Sequence, residues 1–208
     1  MKRIAESSVR RLSLYLRYLE DFRDRGHTTV SSADLAHASG TTPAQVRKDL
    51  SSFGSFGKRG LGYPVAQLAD RLRKILGIGR TWSIVIVGIG KIGGALAQYR
   101  GFRKRGFHLV GLFDNDPSRV GGRVDGLVVR DMSRFDRDLK ALKPHIGIIT
   151  VPNEAAQEIV GHLTRARVRA ILNFAATGLQ VPPDVAVRNV NMALELEVLT
   201  YSLLRLEE

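Results

Sequence analysis

The stretch Ser83-Ile84-Val85-Ile86-Val87-Gly88-Ile89-Gly90-Lys91-Ile92-Gly93-Gly94 constrains the fold more than any other part of the chain. A run dominated by β-branched side chains reads as a buried parallel strand, and the Gly-x-Gly-x-x-Gly that follows turns the backbone into a helix expected over 91–102. Each glycine has a separate task in such a turn. Gly88 permits the tight bend, Gly90 removes a Cβ that would block a pyrophosphate, and Gly93 lets helix and strand pack closely. Phosphate oxygens would then face unpaired N–H groups at the helix N-terminus, around Ile89, Lys91 and Ile92. Downstream, 107–113 reads as the second strand and ends in Asp114, 21 positions after Gly93. That is where a dinucleotide fold places the carboxylate that accepts from the adenine ribose. A carboxylate there repels a 2′-phosphate, Asn115 and Asp116 bring no cation, and Arg119 is read as a helical turn or more away, so NAD(H) is favoured over NADP(H).

Further β-α alternation follows: a strand over 126–130 and a helix ending near Leu142, a strand over 146–151 and a helix over 154–166, and strands over 169–174 and 185–190. This predicts an open parallel sheet of Rossmann type, whose ligands lie beyond the strand C-termini. Thr150, Val151 and Pro152, with Asn173, Phe174 and Ala175, end two of those strands and are candidates for the nicotinamide side. Of the five histidines, His27, His37, His108, His145 and His162, none ends a strand where an acid/base group for hydride chemistry would be needed. The cofactor reads as a signal, and the chain as no enzyme. There is no cysteine, which excludes disulfides and thiolate metal sites, and no apolar run approaches a membrane span of ~20 residues. A cytoplasmic protein with no membrane or metal partner is the expectation.

The formal net charge is +12, and residues 1–80 carry fifteen Lys/Arg against seven Asp/Glu, a net of +8. A basic segment joined to a dinucleotide fold points to a polyanion, most simply double-stranded DNA. Within it, Val9, Leu12, Leu16 and Leu19 recur at helical spacing over 6–25, with Leu14 and Tyr18 as a second apolar line. A second helix is capped by Ser31 or Ser32, carries Leu35 and Ala36, and stops at Gly40. The third begins with Thr42 as N-cap, Pro43 at the first position and Gln45 three residues after the cap. Val46, Leu50 and Phe53 share its inner face, while Ala44, Arg47, Lys48 and Ser51 point outward and Gln45 lies on the flank. This is a helix-turn-helix whose outer face bears side chains suited to base edges and phosphates. Residues 53–63 hold four glycines among aromatics and read as a β-ribbon with Lys58 and Arg59 at its tip, completing a winged helix. Pro64 opens a helix over 65–76 that reads as a stiff link, and Gly77-Ile78-Gly79 marks a boundary. At the other end Leu196, Leu199, Leu203 and Leu206 form one apolar stripe and Leu194, Val198 and Tyr201 another, leaving a narrow polar line of Glu195, Ser202 and Arg205. Such a helix must be buried, and exchange between the subunits of a homodimer is the expected way. The organisation is therefore α/β: winged helix over 1–79, Rossmann domain over 80–190, and a C-terminal domain-swapped helix over 191–208.

Taken together, residues 12–18, 30–32, 43–63 (PAQVRKDLSSFGSFGKRGLGY), 87–93, 99–102 (YRGF), 113–116, 150–156 (TVPNEAA) and 171–175 (ILNFA) resemble the Rex family of redox-sensing transcriptional repressors. The resemblance implies a homodimer that binds palindromic operators and releases them when NADH binds, NAD⁺ competing and favouring the bound state. It implies that Gly88 to Gly93 and Asp114 hold the dinucleotide, with Met192 among the contacts, and that Arg17 and Tyr99 belong to a switch between the domains. One departure stands out. The family usually has Asp where this chain has Asn191, so a latch to Arg17 would be a neutral hydrogen bond, and Asn191→Asp should shift the releasing NADH concentration several-fold. A CoA-binding Rossmann protein and an NAD-dependent dehydrogenase with a basic appendage are the alternatives.

Overall fold

The structure, a computed structural model, describes residues 4–54, 56–57 and 61–206. It divides into two compact units, Met1–Arg80 and Thr81–Glu208.

In the first unit, α1 (Glu6–Asp24), α2 (Ser32–Ser39), α3 (Pro43–Ser51) and α4 (Val65–Leu76) surround one core. The buried stripe of α1 is Leu12, Tyr15, Leu16 and Leu19, at the i, i+3, i+4, i+7 spacing of an inward face. Val9 precedes that stripe by a turn and is 38% exposed, so the expected inner position is an outer one. Ser31 caps α2, accepting from Ala33 N and Asp34 N, while the Asp34 carboxylate accepts in turn from Ser31 N. Gly40 ends the helix in the left-handed conformation. Thr42 accepts from Gln45 N at 3.2 Å and Pro43 opens α3. The helix expected as a stiff link, α4, is part of this core, since Val65, Leu68, Ala69 and Leu72 are buried in it.

The ribbon forms differently from the expectation. Tyr63–Pro64 (β2) pairs antiparallel with Thr29–Val30 (β1), the segment just before α2, and among the described residues no strand forms over 53–61. Gly62 makes that pairing possible: its φ is +77°, and a Cβ there would lie 2.5 Å from the Val30 carbonyl oxygen. Lys58 and Arg59 lie outside the described residues.

The second unit is built on a seven-stranded sheet in the order β5-β6-β4-β3-β7-β8-β9. Its strands are β3 (Trp82–Val87), β4 (Phe107–Asp114), β5 (Arg123–Val124), β6 (Leu127–Asp131), β7 (Ile146–Ile149), β8 (Ala170–Asn173) and β9 (Ala186–Asn189). All neighbours pair in parallel except β5 and β6. Counted along the chain the parallel strands run 3-2-1-4-5-6, the Rossmann order, and the order reverses between β3 and β7. Helices α5 (Lys91–Ala97), α6 (Gly101–Lys104), α7 (Phe135–Leu142) and α8 (Asn153–Arg165) fill the connections. Alternation along β3 divides the core: Val85 and Val87 pack with Phe113, Phe135, Ile149 and Ile159 on one side, Ile84 and Ile86 with Leu112, Ile148 and Ala97 on the other.

Two local expectations are corrected. The helix expected over 91–102 breaks at Gln98–Arg100 into α5 and α6. Tyr99 folds its ring into the space a Cβ on Gly101 would occupy and meets Phe102 edge-on at 5.1 Å, so the glycine admits the break. The β5–β6 hairpin was also not anticipated. Its turn is Asp125-Gly126, both at positive φ (47° and 83°), the pairing that favours two-residue hairpin turns.

The last helix, α9 (Met192–Leu204), has no buried residue. No helix of the described residues is long and apolar enough to cross a membrane.

Candidate nucleotide-binding and nucleic-acid-binding sites

Register brings three strand ends together at the switch point: Val87 lies opposite Phe113 on one side and Ile149 on the other, so Gly88, Asp114 and Thr150 are neighbours. Gly88 has φ +91°, and a Cβ there would meet the Thr150 carbonyl oxygen at 2.7 Å. A Cβ on Gly93 would run into the Gly88 carbonyl oxygen and lie 2.7 Å from Thr150 Oγ1. That hydroxyl lies 2.6 Å from the Gly88 carbonyl oxygen, to which it donates. Nothing of the protein lies within 4 Å of a Cβ built on Gly90. The first and third glycines therefore serve the fold, while the second leaves an open approach to the backbone. This cradle fits a dinucleotide. Lys91 and Ile92 begin α5 and are exposed, Ile92 by 51%.

Asp114 is only 3% exposed, and protein donors already occupy most of its carboxylate. Ile89 N donates to Oδ2 at 2.5 Å and Asp116 N to Oδ1 at 2.8 Å. The carboxylate thus also shapes the glycine turn. A third donor corrects the sequence reading: Arg119 Nη1 reaches Asp114 Oδ2 at 3.3 Å, and Nη2 lies 3.4 Å from Asp116. A cation does sit beside the acid. Arg119 is nearly half exposed and its contact is the longest, so it is the one a ribose hydroxyl could displace.

A cleft of about 200 Å³ opens here, lined among others by Gly88, Asp114, Asn115, Met132, Val151 and Pro152. Val151 and Pro152 therefore border Asp114 in this cleft. Phe174 and Ala175 follow β8. Their loop is held by Asn173, fully buried, whose amide lies within 3.1 Å of the carbonyls of Ala175 and Thr177 and of Asn189 Oδ1 while its oxygen accepts from Ala175 N. Met192 is 71% exposed at the start of α9. Of the residues expected to form a switch, Arg17 is exposed on α1 and Tyr99 is 56% exposed beside Phe102. Asn191 has a local role the sequence reading lacked: its side-chain oxygen caps α9, accepting from Ala193 N and Leu194 N at 3.0 and 3.3 Å. Asp caps as well as Asn, so Asn191→Asp should preserve α9. Among the described residues no group of three or more His, Asp or Glu is placed to hold a metal.

In the first unit Ala44, Arg47, Lys48 and Ser51 are exposed along α3. Arg47 Nη1 donates to Ser32 Oγ at 3.0 Å, steadying one cation across the turn. Gln45 is half-buried, and its side chain does not close a capping box on Thr42. It donates instead to Asp49 at 2.9 Å. The sequence reading passed over Asp49, although it stands on the apolar stripe of α3 beside Val46 and Leu50. It is 3% exposed and takes a two-pronged contact from Arg11 (2.6 and 2.8 Å), a bond from Tyr15 at 3.0 Å and one from Ser8 at 3.3 Å. Burial alone would raise the Asp49 carboxyl, but the bonds from Arg11, Gln45 and Tyr15 hold it below the usual carboxylate range. Burial and the neighbouring carboxylate push the Tyr15 phenol up to about 12. The network ties the recognition helix to α1.

A helix-turn-helix with a basic outer helix and a Rossmann sheet with a glycine cradle and a buried acid at the end of its second strand define a dinucleotide-responsive DNA-binding regulator. Over 98% of its length the chain is 48% identical to the redox-sensing transcriptional repressor Rex of Carboxydothermus hydrogenoformans, of which it covers 98%. The chain belongs to the Rex family of redox-sensing transcriptional repressors. It is also 50% identical to Rex of Desulfitobacterium hafniense, covering 96% of this chain and 95% of that one. Residues 3–51 match a family described as a putative DNA-binding protein N-terminus, and residues 79–177 one described as a CoA binding domain. Among solved structures, RSP in complex with β-NAD⁺ and operator DNA is 37% identical, with a TM-score of 0.93 over 100% of this chain and 95% of that one. RSP in complex with β-NADH is 35% identical, with a TM-score of 0.91 over 100% and 97%. Relatives of full length are named as repressors, so the chain is a regulator and not an enzyme, and the CoA reading is not favoured.

Proposed function

We propose that this chain is a cytoplasmic homodimeric repressor that holds a palindromic operator and releases it when NADH occupies the Rossmann unit. One observation carries the reading: a glycine cradle open at Gly90 shares a chain with a basic helix-turn-helix, and relatives over the whole length are named redox-sensing repressors. In this reading Gly88 to Gly93 and Asp114 bind the pyrophosphate and adenine ribose, and Thr150, Val151, Pro152, Phe174, Ala175 and Met192 complete the pocket. Ala44, Gln45, Arg47, Lys48 and Ser51, with Lys58 and Arg59, face DNA. Arg17, Tyr99 and Asn191 form the switch. When bound, the dinucleotide supplies only its oxidation state, and no residue here needs to move a proton. A mobility shift on a palindromic operator tests this: NADH should release the DNA while NAD⁺ and NADPH do not, and indifference to all three would overturn it.

Cofactor choice rests on Asp114 in the same reading. Asp114→Ser removes the carboxylate that repels a 2′-phosphate and frees Arg119 from one of its two acids. NADH affinity should fall about tenfold, by loss of a charge-assisted bond, while NADPH becomes a competent releaser. Fluorescence titration with both cofactors reads this, and an unchanged preference for NADH would remove Asp114 from the choice.

A further inference from the structure

The hydrogen-bonding sense of Gln45 follows from its neighbour. A carboxylate can only accept, so the carboxamide turns its NH₂ to Asp49 Oδ1 at 2.9 Å. The rotamer with oxygen and nitrogen exchanged would set two acceptors against each other beside a buried negative charge. Asp49 cannot yield, because Arg11, Tyr15 and Ser8 hold it on the core side of α3. Among the described residues nothing donates to the Gln45 oxygen, and the side chain is half-buried next to exposed Ala44 and Lys48. A free glutamine can present either face of its amide to a base. This one cannot.

We infer that Gln45 is a specificity residue of fixed polarity: Asp49 makes it present a hydrogen-bond acceptor to the major groove. It therefore selects a base that offers an amino group there, cytosine through N4 or adenine through N6. Guanine and thymine, which present only acceptors in the major groove, leave the Gln45 oxygen without a donor. Asp49 is the positioning residue, acting through Gln45 and touching no DNA. The inference rests on the operator-binding reading above and adds the sense of one base contact to it.

Selection of binding sites from a randomised duplex pool, with the full-length chain and its Gln45→Met variant, tests it. Met keeps the length of the side chain and removes both the amide oxygen and its donor. The variant should lose its preference at one position of each half-site, and there the unaltered chain should take cytosine or adenine. Replacing that base by its analogue without the exocyclic amino group, pyrimidin-2-one or purine, should weaken the unaltered chain five- to tenfold. The variant should be affected much less, the difference isolating the contact from any change in duplex stability. An unaltered selection by Gln45→Met, or equal losses for both proteins on removal of the exocyclic amino group, would overturn the inference with DNA binding intact. If the unaltered chain enriches no sequence, the operator-binding reading itself falls.

Discussion

Gly90→Ala should produce a repressor that stays on its operator when NADH is added, with its melting temperature unchanged. The reason lies in the contrast between the three glycines. Gly90 has φ −72°, outside the left-handed region, and apart from its chain neighbours no protein atom lies within 4 Å of the added methyl. The methyl therefore costs the fold nothing and projects into the approach that a pyrophosphate needs. Gly93→Ala also loses the NADH response, but by another route. Its methyl would meet the Gly88 carbonyl, which is backbone and is already engaged by the Thr150 hydroxyl at 2.6 Å. Helix α5 has to move off β3, and overpacking of this kind costs ~1–3 kcal/mol. NADH affinity should fall by about 10- to 100-fold in each variant, the upper end corresponding to roughly two decades. Only Gly93→Ala should also melt early. Fluorescence titration and thermal melting measure the two effects separately. NADH binding by Gly90→Ala at the affinity of the unaltered chain would show that the ligand approaches elsewhere.

That contrast also marks what the sequence reveals and what it hides. Glycine spacing and the acid after the second strand are local patterns, so the cradle, the parallel sheet and the capped helices of the first unit can be read directly. The parts that escaped depend on which side chain reaches which. Asp49 looks like one more surface acid of a basic helix until the apolar stripe around it is counted, and its partners Arg11 and Tyr15 are 38 and 34 positions away. Arg119 is five positions from Asp114, too far for a strand neighbour, but the turn after β4 brings it back. The break in the helix after Ala97 lies in one ring, that of Tyr99, and in the one residue that leaves it room. The ribbon in the first unit pairs with a segment that precedes the recognition helices, and a pattern of glycines and aromatics over 53–63 does not contain its partner.

Removal of residues 191–208 should convert the protein to a monomer and lower its affinity for a palindromic operator by about 100-fold or more, the range over which linked half-sites gain from being joined. Helix α9 carries the argument. Met192, Leu194, Leu196, Val198, Leu199, Tyr201, Leu203 and Leu204 are each more than half exposed, on every side of the helix. If each contributes ~1 kcal/mol on burial, a modest share of a full transfer, one helix supplies on the order of 8 kcal/mol. A two-fold dimer counts that twice. The total is comparable with or above the ~4–15 kcal/mol that association costs in lost freedom. Propensity alone cannot hold a lone helix of this length in water, so its stability and the dimer's are one property. Leu196→Glu with Leu199→Glu tests the same point without shortening the chain, since α9 keeps its cap at Asn191 while losing part of its apolar surface. Sedimentation should show a monomer for both variants and operator affinity should fall in both alike, while NADH binding should persist in the double variant, which keeps Met192. A dimer with full operator affinity from the truncated chain would mean that α9 covers nothing in the partner.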